Sequence, residues 1–237
     1  MHVSERIFPV TDSFRPLVPL ANLSASNPFI ICAILDESGS MHGHEDEVVE
    51  SFNRFIGEQR KVKTPTVLYL SKFQTDVEHI YKAQPLELVA PLNTNQYRPA
   101  GGTALFDAVG ANLDALITEY PGKRRGIIFV HTDGKEVDSR VYNEKKLEDA
   151  IGKAKMNGWD FVYVGALPSS WKDGKGLGMQ SSGSYDPTNV ARSYATISAN
   201  LVVMRSKDIT SSGLGWNAGD MPPDAGFSAG GRKFKRG

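Results

Sequence analysis

One short apolar run limits what this chain can become. Residues 29–35, FIICAIL, carry no charge and stop abruptly at Asp36-Glu37-Ser38-Gly39-Ser40. A run this short, rich in Ile and bounded by turn residues, fits a buried strand. It is expected to be the central strand of the fold. Further apolar runs at 65–70, 77–81, 126–131 and 161–164 read as strands as well. Between them, apolar residues recur at helical spacing: Val48, Val49, Phe52, Phe55 and Ile56; Leu105, Val109, Leu113, Leu116 and Ile117; Leu147, Ala150, Ile151 and Ala154. A last such stripe, Val190, Tyr194, Ile197, Leu201 and Met204, follows Asp186-Pro187, where a helix is expected to start. Alternating strands and helices predict a three-layer α/β domain with a mostly parallel sheet and right-handed crossovers. Gln74-Thr75-Asp76 joins two nearby strands and predicts a hairpin.

Asp36, Ser38 and Ser40 alternate along the turn that ends the central strand, and in an open α/β sheet ligands bind at that end. Two later fragments complete a donor set. Gly101-Gly102-Thr103 precedes the second helix, and Thr132-Asp133-Gly134 closes a later strand. The two glycines permit positive φ or a close backbone approach to a metal, and Thr103 is placed to begin the helix. Five oxygen donors, Asp36, Ser38, Ser40, Thr103 and Asp133, with no His or Cys among them, suit Mg²⁺ or Mn²⁺ better than zinc.

These fragments resemble the metal-ion-dependent adhesion site of von Willebrand factor A domains. The stretches ILDESGSM, GGTALFDAVG and FVHTDG look most like the intracellular bacterial and phage-like branch, and the resemblance covers roughly residues 28–207. It implies a Rossmann-like α/β/α fold whose hairpin contributes one antiparallel edge strand. It also implies that Ser38, Ser40 and Thr103 bind the cation, that Asp36 and Asp133 act directly or through water, and that an Asp or Glu of a partner protein completes the coordination. Glu37, Gly102 and Thr103 are the residues expected to meet that partner.

Composition narrows the alternatives. Lys+Arg and Asp+Glu both number 27, so no global field draws the chain to nucleic acid or an anionic membrane. The basic cluster Arg232-Lys233-Phe234-Lys235-Arg236 is read as a solvated terminus. Cys32, the sole cysteine, lies within the apolar run and reads as a small buried hydrophobe. No stretch has signal-peptide or membrane-spanning character, which predicts a soluble cytoplasmic protein. The expected organisation is an extended arm at 1–27 with Phe8, Phe14 and Leu17 as anchors, a domain at 28–207 and a Gly/Pro-rich tail at 208–237.

The function expected is cation-dependent protein binding without catalysis, inside a larger assembly. A metal-dependent phosphoester hydrolase is the competing class, but the sequence has no phosphate loop, no nucleophile elbow and no second acid placed as a base. A structural, virion-type scaffold with an idle metal site is the third. His42, His44 and His131 lie beside the metal fragments and are read as structural or solvent-facing.

Overall fold

The computed structural model describes residues 19–133, 136–165 and 190–207. Five strands form one sheet: β1 (Phe29–Asp36), β2 (Thr66–Phe73), β3 (Val77–Pro85), β4 (Gly126–Thr132) and β5 (Trp159–Gly165). Their order across the sheet is β3-β2-β1-β4-β5, so β1 is central. The pairs β1–β2, β1–β4 and β4–β5 are parallel, and β3 runs antiparallel along the edge. Four helices cover the faces: α1 (Glu45–Gln59), α2 (Leu105–Glu119), α3 (Glu144–Met156) and α4 (Val190–Ser206).

The alternation of β1 divides the core. Phe29, Ile31, Ala33 and Leu35 pack with α1 and α4 residues, among them Phe52, Phe55, Tyr194 and Leu201. Ile30, Cys32 and Ile34 face the other way, against Leu105, Val109 and Leu113 of α2 and Ile151 of α3. Every residue of β1 is therefore buried, as expected for a strand with a helical layer on each side. Burial also raises the Cys32 thiol far above its ordinary range, which keeps it protonated.

This topology creates the crevice. The chain leaves β1 through α1 on one face to reach β2, and later crosses through α2 on the other face to reach β4, which flanks β1 on its other side. Loops leaving β1 and β4 thus diverge to opposite faces, the arrangement that opens a binding cleft at strand carboxyl ends. Register brings the two together: Leu35 is level with His131, so Asp36 comes beside Thr132, with Asp133 next in the chain.

Two expectations shift. Helix α2 begins at Leu105, two residues after Thr103, and its cap position is Ala104, with no side-chain cap. The run expected as a strand at 77–81 continues as β3 to Pro85, and a short 3₁₀ turn at Leu86–Leu88 and an ordered connection burying Val89, Leu92 and Tyr97 follow it. Of the expected arm, residues 19–27 form a 3₁₀ turn at Leu20–Asn22 and an isolated bridge from Ser24 to Asn27. The anchors Phe8, Phe14 and Leu17, the helix start expected at Asp186-Pro187 and the tail lie outside the described residues. Among those residues no helix is long and apolar enough to cross a membrane.

Candidate metal centre

Asp36 is the last residue of β1 and is 0% exposed. One carboxylate oxygen accepts the Ser38 N–H at 2.7 Å, and the other accepts the Thr132 hydroxyl. The Tyr97 hydroxyl donates to the Asp36 carbonyl from below. Ser38 and Ser40 place their hydroxyl oxygens 3.1 Å apart, and Ser40 Oγ donates to Asp133 Oδ1 at 2.7 Å. Four of the five expected donors are thus linked in one hydrogen-bonded cluster at the carboxyl end of β1 and β4.

Thr103 reaches the cluster by a different route. Its loop touches the first turn through the backbone, with Gly39 N–H donating to Gly101 O at 3.2 Å and Ala100 N–H to Glu37 O at 2.8 Å. Its own N–H goes to Asp138 Oδ2 at 2.9 Å, and its carbonyl accepts the Val137 and Asp138 N–H groups. Among the described residues the Thr103 hydroxyl, on a residue only 7% exposed, makes no hydrogen bond. Thr103 is thus joined to the cluster through the backbone of its loop.

The electrostatics fit a cation. Burial pushes the Asp36 carboxyl above its usual range; donation from Thr132 and Ser38 opposes this, and the nearby charge of Asp133 adds to it. Among the described residues neither Asp36 nor Asp133 pairs with Lys, Arg or His. Two carboxylates beside hydroxyls, with no positive side chain, form a set of hard oxygen ligands that divalent Mg²⁺ or Mn²⁺ would relieve. No group of three or more His, Cys, Asp or Glu suited to a metal occurs among the described residues, so any ion held here depends on the hydroxyls.

Glu37 and Gly102 each have contacts within the fold. The Glu37 carboxylate turns inward and accepts from Lys72 Nζ at 3.0 Å and from the Arg98 N–H. Gly101 has the positive φ, +67°. Gly102 does not; a methyl group there would lie 1.5 Å from Asp138 Oδ2, so the missing side chain makes room for the carboxylate that holds Thr103.

Asp138 belongs to a loop, 136–142, that sequence reasoning passed over. Glu136 Oε2 accepts the Phe106 N–H at 2.8 Å and Ser139 Oγ accepts the Asp107 N–H at 3.0 Å. Asp107 in turn accepts from the N–H groups of Arg140, Val141 and Tyr142. The Tyr142 ring lies where a side chain on Gly110 would be, 2.4 Å from the position of its Cβ. The Phe106 and Asp107 N–H groups in the first turn of α2 are therefore consumed within the protein. The only sequence signal for this was a cluster of short polar residues after a strand end. His131 is fully buried, with Nδ1 3.2 Å from the Tyr194 hydroxyl, and burial lowers its pKa to about 3, His44 adding to the effect. It is neutral and internal, whereas His42 is exposed and bonded to Glu45.

No family model matches the sequence, and no curated protein sequence matches it. Solved structures do. The chain is similar to the von Willebrand factor domain of Mfa5, a type V pili tip protein of Porphyromonas gingivalis, with a TM-score of 0.58 at 10% identity over 78% of this chain and 99% of that one. It is similar to a von Willebrand factor type A protein of Catenulispora acidiphila, with a TM-score of 0.54 at 15% identity over 74% of this chain and 43% of that one. The pilus adhesin SpaC of Lactobacillus rhamnosus GG, in an open conformation, gives 0.54 at 12% identity over 74% and 30%. This chain thus spans less than half of the second and third of these. The fold is that of the von Willebrand factor A domains, a mostly parallel sheet with one antiparallel edge between two helical layers.

Proposed function

We propose that this protein is a divalent-cation-dependent protein-binding module with no catalytic activity of its own, working within a larger intracellular assembly. The observation that carries the reading is the cluster of Asp36, Ser38, Ser40 and Asp133, two carboxylates and two hydroxyls with no cationic side chain paired to either acid among the described residues. Asp36, Ser38, Ser40, Asp133 and Thr103 would hold Mg²⁺ or Mn²⁺. A bound cation would supply an under-neutralised Lewis acid that favours a carboxylate ligand over a neutral one. The partner is accordingly a protein presenting Asp or Glu. The rigid sheet fixes Asp36 and Thr132 against each other, the turn aims Ser38 and Ser40, and Thr103 arrives on a separate loop that can respond to a ligand.

The hydrolase alternative has less support. A phosphate-binding site is commonly built from the N–H groups of a helix start, and here the Phe106 and Asp107 N–H groups are taken by Glu136 and Ser139. The test has two stages. Mg²⁺ or Mn²⁺ at about a hundred times its Kd is expected to stabilise the fold by about 2.7 kcal/mol, with Asp133→Ala abolishing the effect. A partner captured from the native cell is then expected to be released by a chelator and lost with Thr103→Ala. Stabilisation by zinc alone, or capture that survives both treatments, would refute the reading.

A further inference from the structure

Glu37 and Lys72 form an ion pair whose side chains are each 7% exposed, next to the first candidate ligand. The pair joins three parts of the carboxyl edge. Glu37 N–H donates to Phe73 O at 2.7 Å and Glu37 O accepts the Ala100 N–H at 2.8 Å, so its backbone already ties β1 to the end of β2 and to the loop that carries Thr103. Its carboxylate then grips the same loop, accepting the Arg98 N–H. Lys72 Nζ, besides meeting Glu37 at 3.0 Å and Glu78 at 3.2 Å, donates to Gln96 O at 2.5 Å. The loop is therefore held at Gln96, Arg98 and Ala100, shortly before Gly101-Gly102-Thr103.

Stability alone does not account for such a pair. Taking two ions out of water costs several kcal/mol each, and a well-packed apolar pair of similar volume is often as stable or more so. What the ions add is direction: charge-assisted bonds fix donor and acceptor within narrow limits of length and angle. The pair is also neutral as a unit, so it leaves the negative charge of Asp36 and Asp133 available. A strut of this kind sets the distance between the turn bearing Ser38 and Ser40 and the loop bearing Thr103.

We propose that Glu37 and Lys72 are positioning residues that hold the Thr103 loop at the spacing of a small cation, and so give the site preference for Mg²⁺ and Mn²⁺ over the larger Ca²⁺. The inference rests on the cation-binding reading above. Mg²⁺ needs short, nearly octahedral contacts, whereas Ca²⁺ accepts longer and less regular ones. Loosening the strut therefore penalises the smaller ion selectively.

The experiment measures Mn²⁺, Mg²⁺ and Ca²⁺ binding by calorimetry on the full chain, with the Mn²⁺ electron paramagnetic resonance spectrum as a second readout. The double variant Glu37→Leu/Lys72→Met removes both charges together and avoids stranding one of them. It is expected to stay folded by circular dichroism, to bind Mn²⁺ and Mg²⁺ at least tenfold more weakly, and to change Ca²⁺ affinity by less than threefold. Glu37→Gln, which keeps an acceptor for the Arg98 N–H, is expected to fall between wild type and the double variant. Equal loss for all three ions, or Mn²⁺ affinity within twofold of wild type in either folded variant, overturns the proposal. Should the double variant not fold, Glu37→Gln decides by the same criteria. Absence of binding by the wild type overturns the cation reading itself, whereas wild-type binding that Asp133→Ala abolishes and these variants leave intact overturns only the strut.

Discussion

At the amino end of the sheet Arg205 is a buried charge; at the carboxyl end Asp36 is one. Arg205 is 1% exposed and lies under Phe29, the first residue of β1. It gives Nη1 to Gln59 O at 2.6 Å and Gln59 Oε1 at 3.0 Å, and Nη2 to Thr66 Oγ1 at 2.8 Å and the carbonyls of Val62 and Thr64 at 3.3 Å. Nearby, Arg125 donates to the carbonyls of Met204 and Lys207 at the end of α4. Burial lowers the Arg205 pKa to about 10, the charge of Glu87 opposing it, so the guanidinium stays charged at neutral pH. Its countercharge is dipolar, the carbonyls at a helix carboxyl end. Asp36 has hydrogen bonds too, but the charge that acts on its carboxyl is that of another acid, Asp133. Arg205 is thus ringed by acceptors of its own chain, whereas the charge beside Asp36 has the same sign as its own. On the proposed reading, a cation would balance that second charge.

The sharpest way to break the contrast is Arg205→Leu. It leaves the carbonyls around α1 and β2 without their donor, and the expected loss is about 3 kcal/mol, roughly 6–12 °C in Tm for a domain of this size. Mn²⁺ affinity of the protein still folded is expected to be unchanged in a titration at low temperature. A large fall in affinity would mean that the two ends are coupled.

Acid tests the carboxyl end next. His131 ordinarily titrates near 6.5 but in the fold near 3, so the unfolded chain takes up the proton first. Its contribution is whole above about pH 6.5 and is lost as pH falls towards 3, amounting to about 2 kcal/mol between pH 7 and 5. Denaturant titrations across that range are expected to show a shallower pH dependence in His131→Leu than in wild type. Equal slopes would place the acid sensitivity elsewhere.

The smallest effect has the most telling sign. Because the folded Asp36 carboxyl is raised above its unfolded value, its protonated form favours the fold, and that advantage is present at low pH and lost as pH rises through the raised pKa. Asp36→Asn is therefore expected to leave the metal-free protein at pH 7 as stable as wild type, or slightly more so. With Mg²⁺ present the order should reverse. A Tm for Asp36→Asn well below wild type without metal would show that the carboxylate serves the fold itself.

The sheet was legible in the sequence because its signals are local. The uncharged run before Asp36, the turn at Gln74-Thr75-Asp76 and the helical stripes each declare themselves within a few residues, and the structure has a strand, a hairpin and helices there. The details around the site depend on partners far along the chain. Glu37 turns inward because of Lys72, 35 positions later, and no pattern within the 36–40 turn reveals that. The missing side chain of Gly102 makes room for Asp138, 36 positions later, and nothing near Gly102 in the sequence signals that. Helix α2 starts after Thr103 because that residue's N–H and the next helical N–H groups are bound from loop 136–142.

The central position of β1 has a consequence for the chain as it is made. β1 pairs with β2 on one side and β4 on the other, and Thr132, which donates to Asp36, follows it by 96 residues. At synthesis rates of about 5–20 residues per second, the ribosome needs roughly 5–20 s to supply that second flank. For that interval a nascent β1 has an unpaired apolar edge and Asp36 lacks both Thr132 and Asp133. A cation held by Asp36 and Asp133 could not assist the early steps of folding, because those two acids would not yet exist together. Until β4 emerges, only β2 and α1 are available to cover β1.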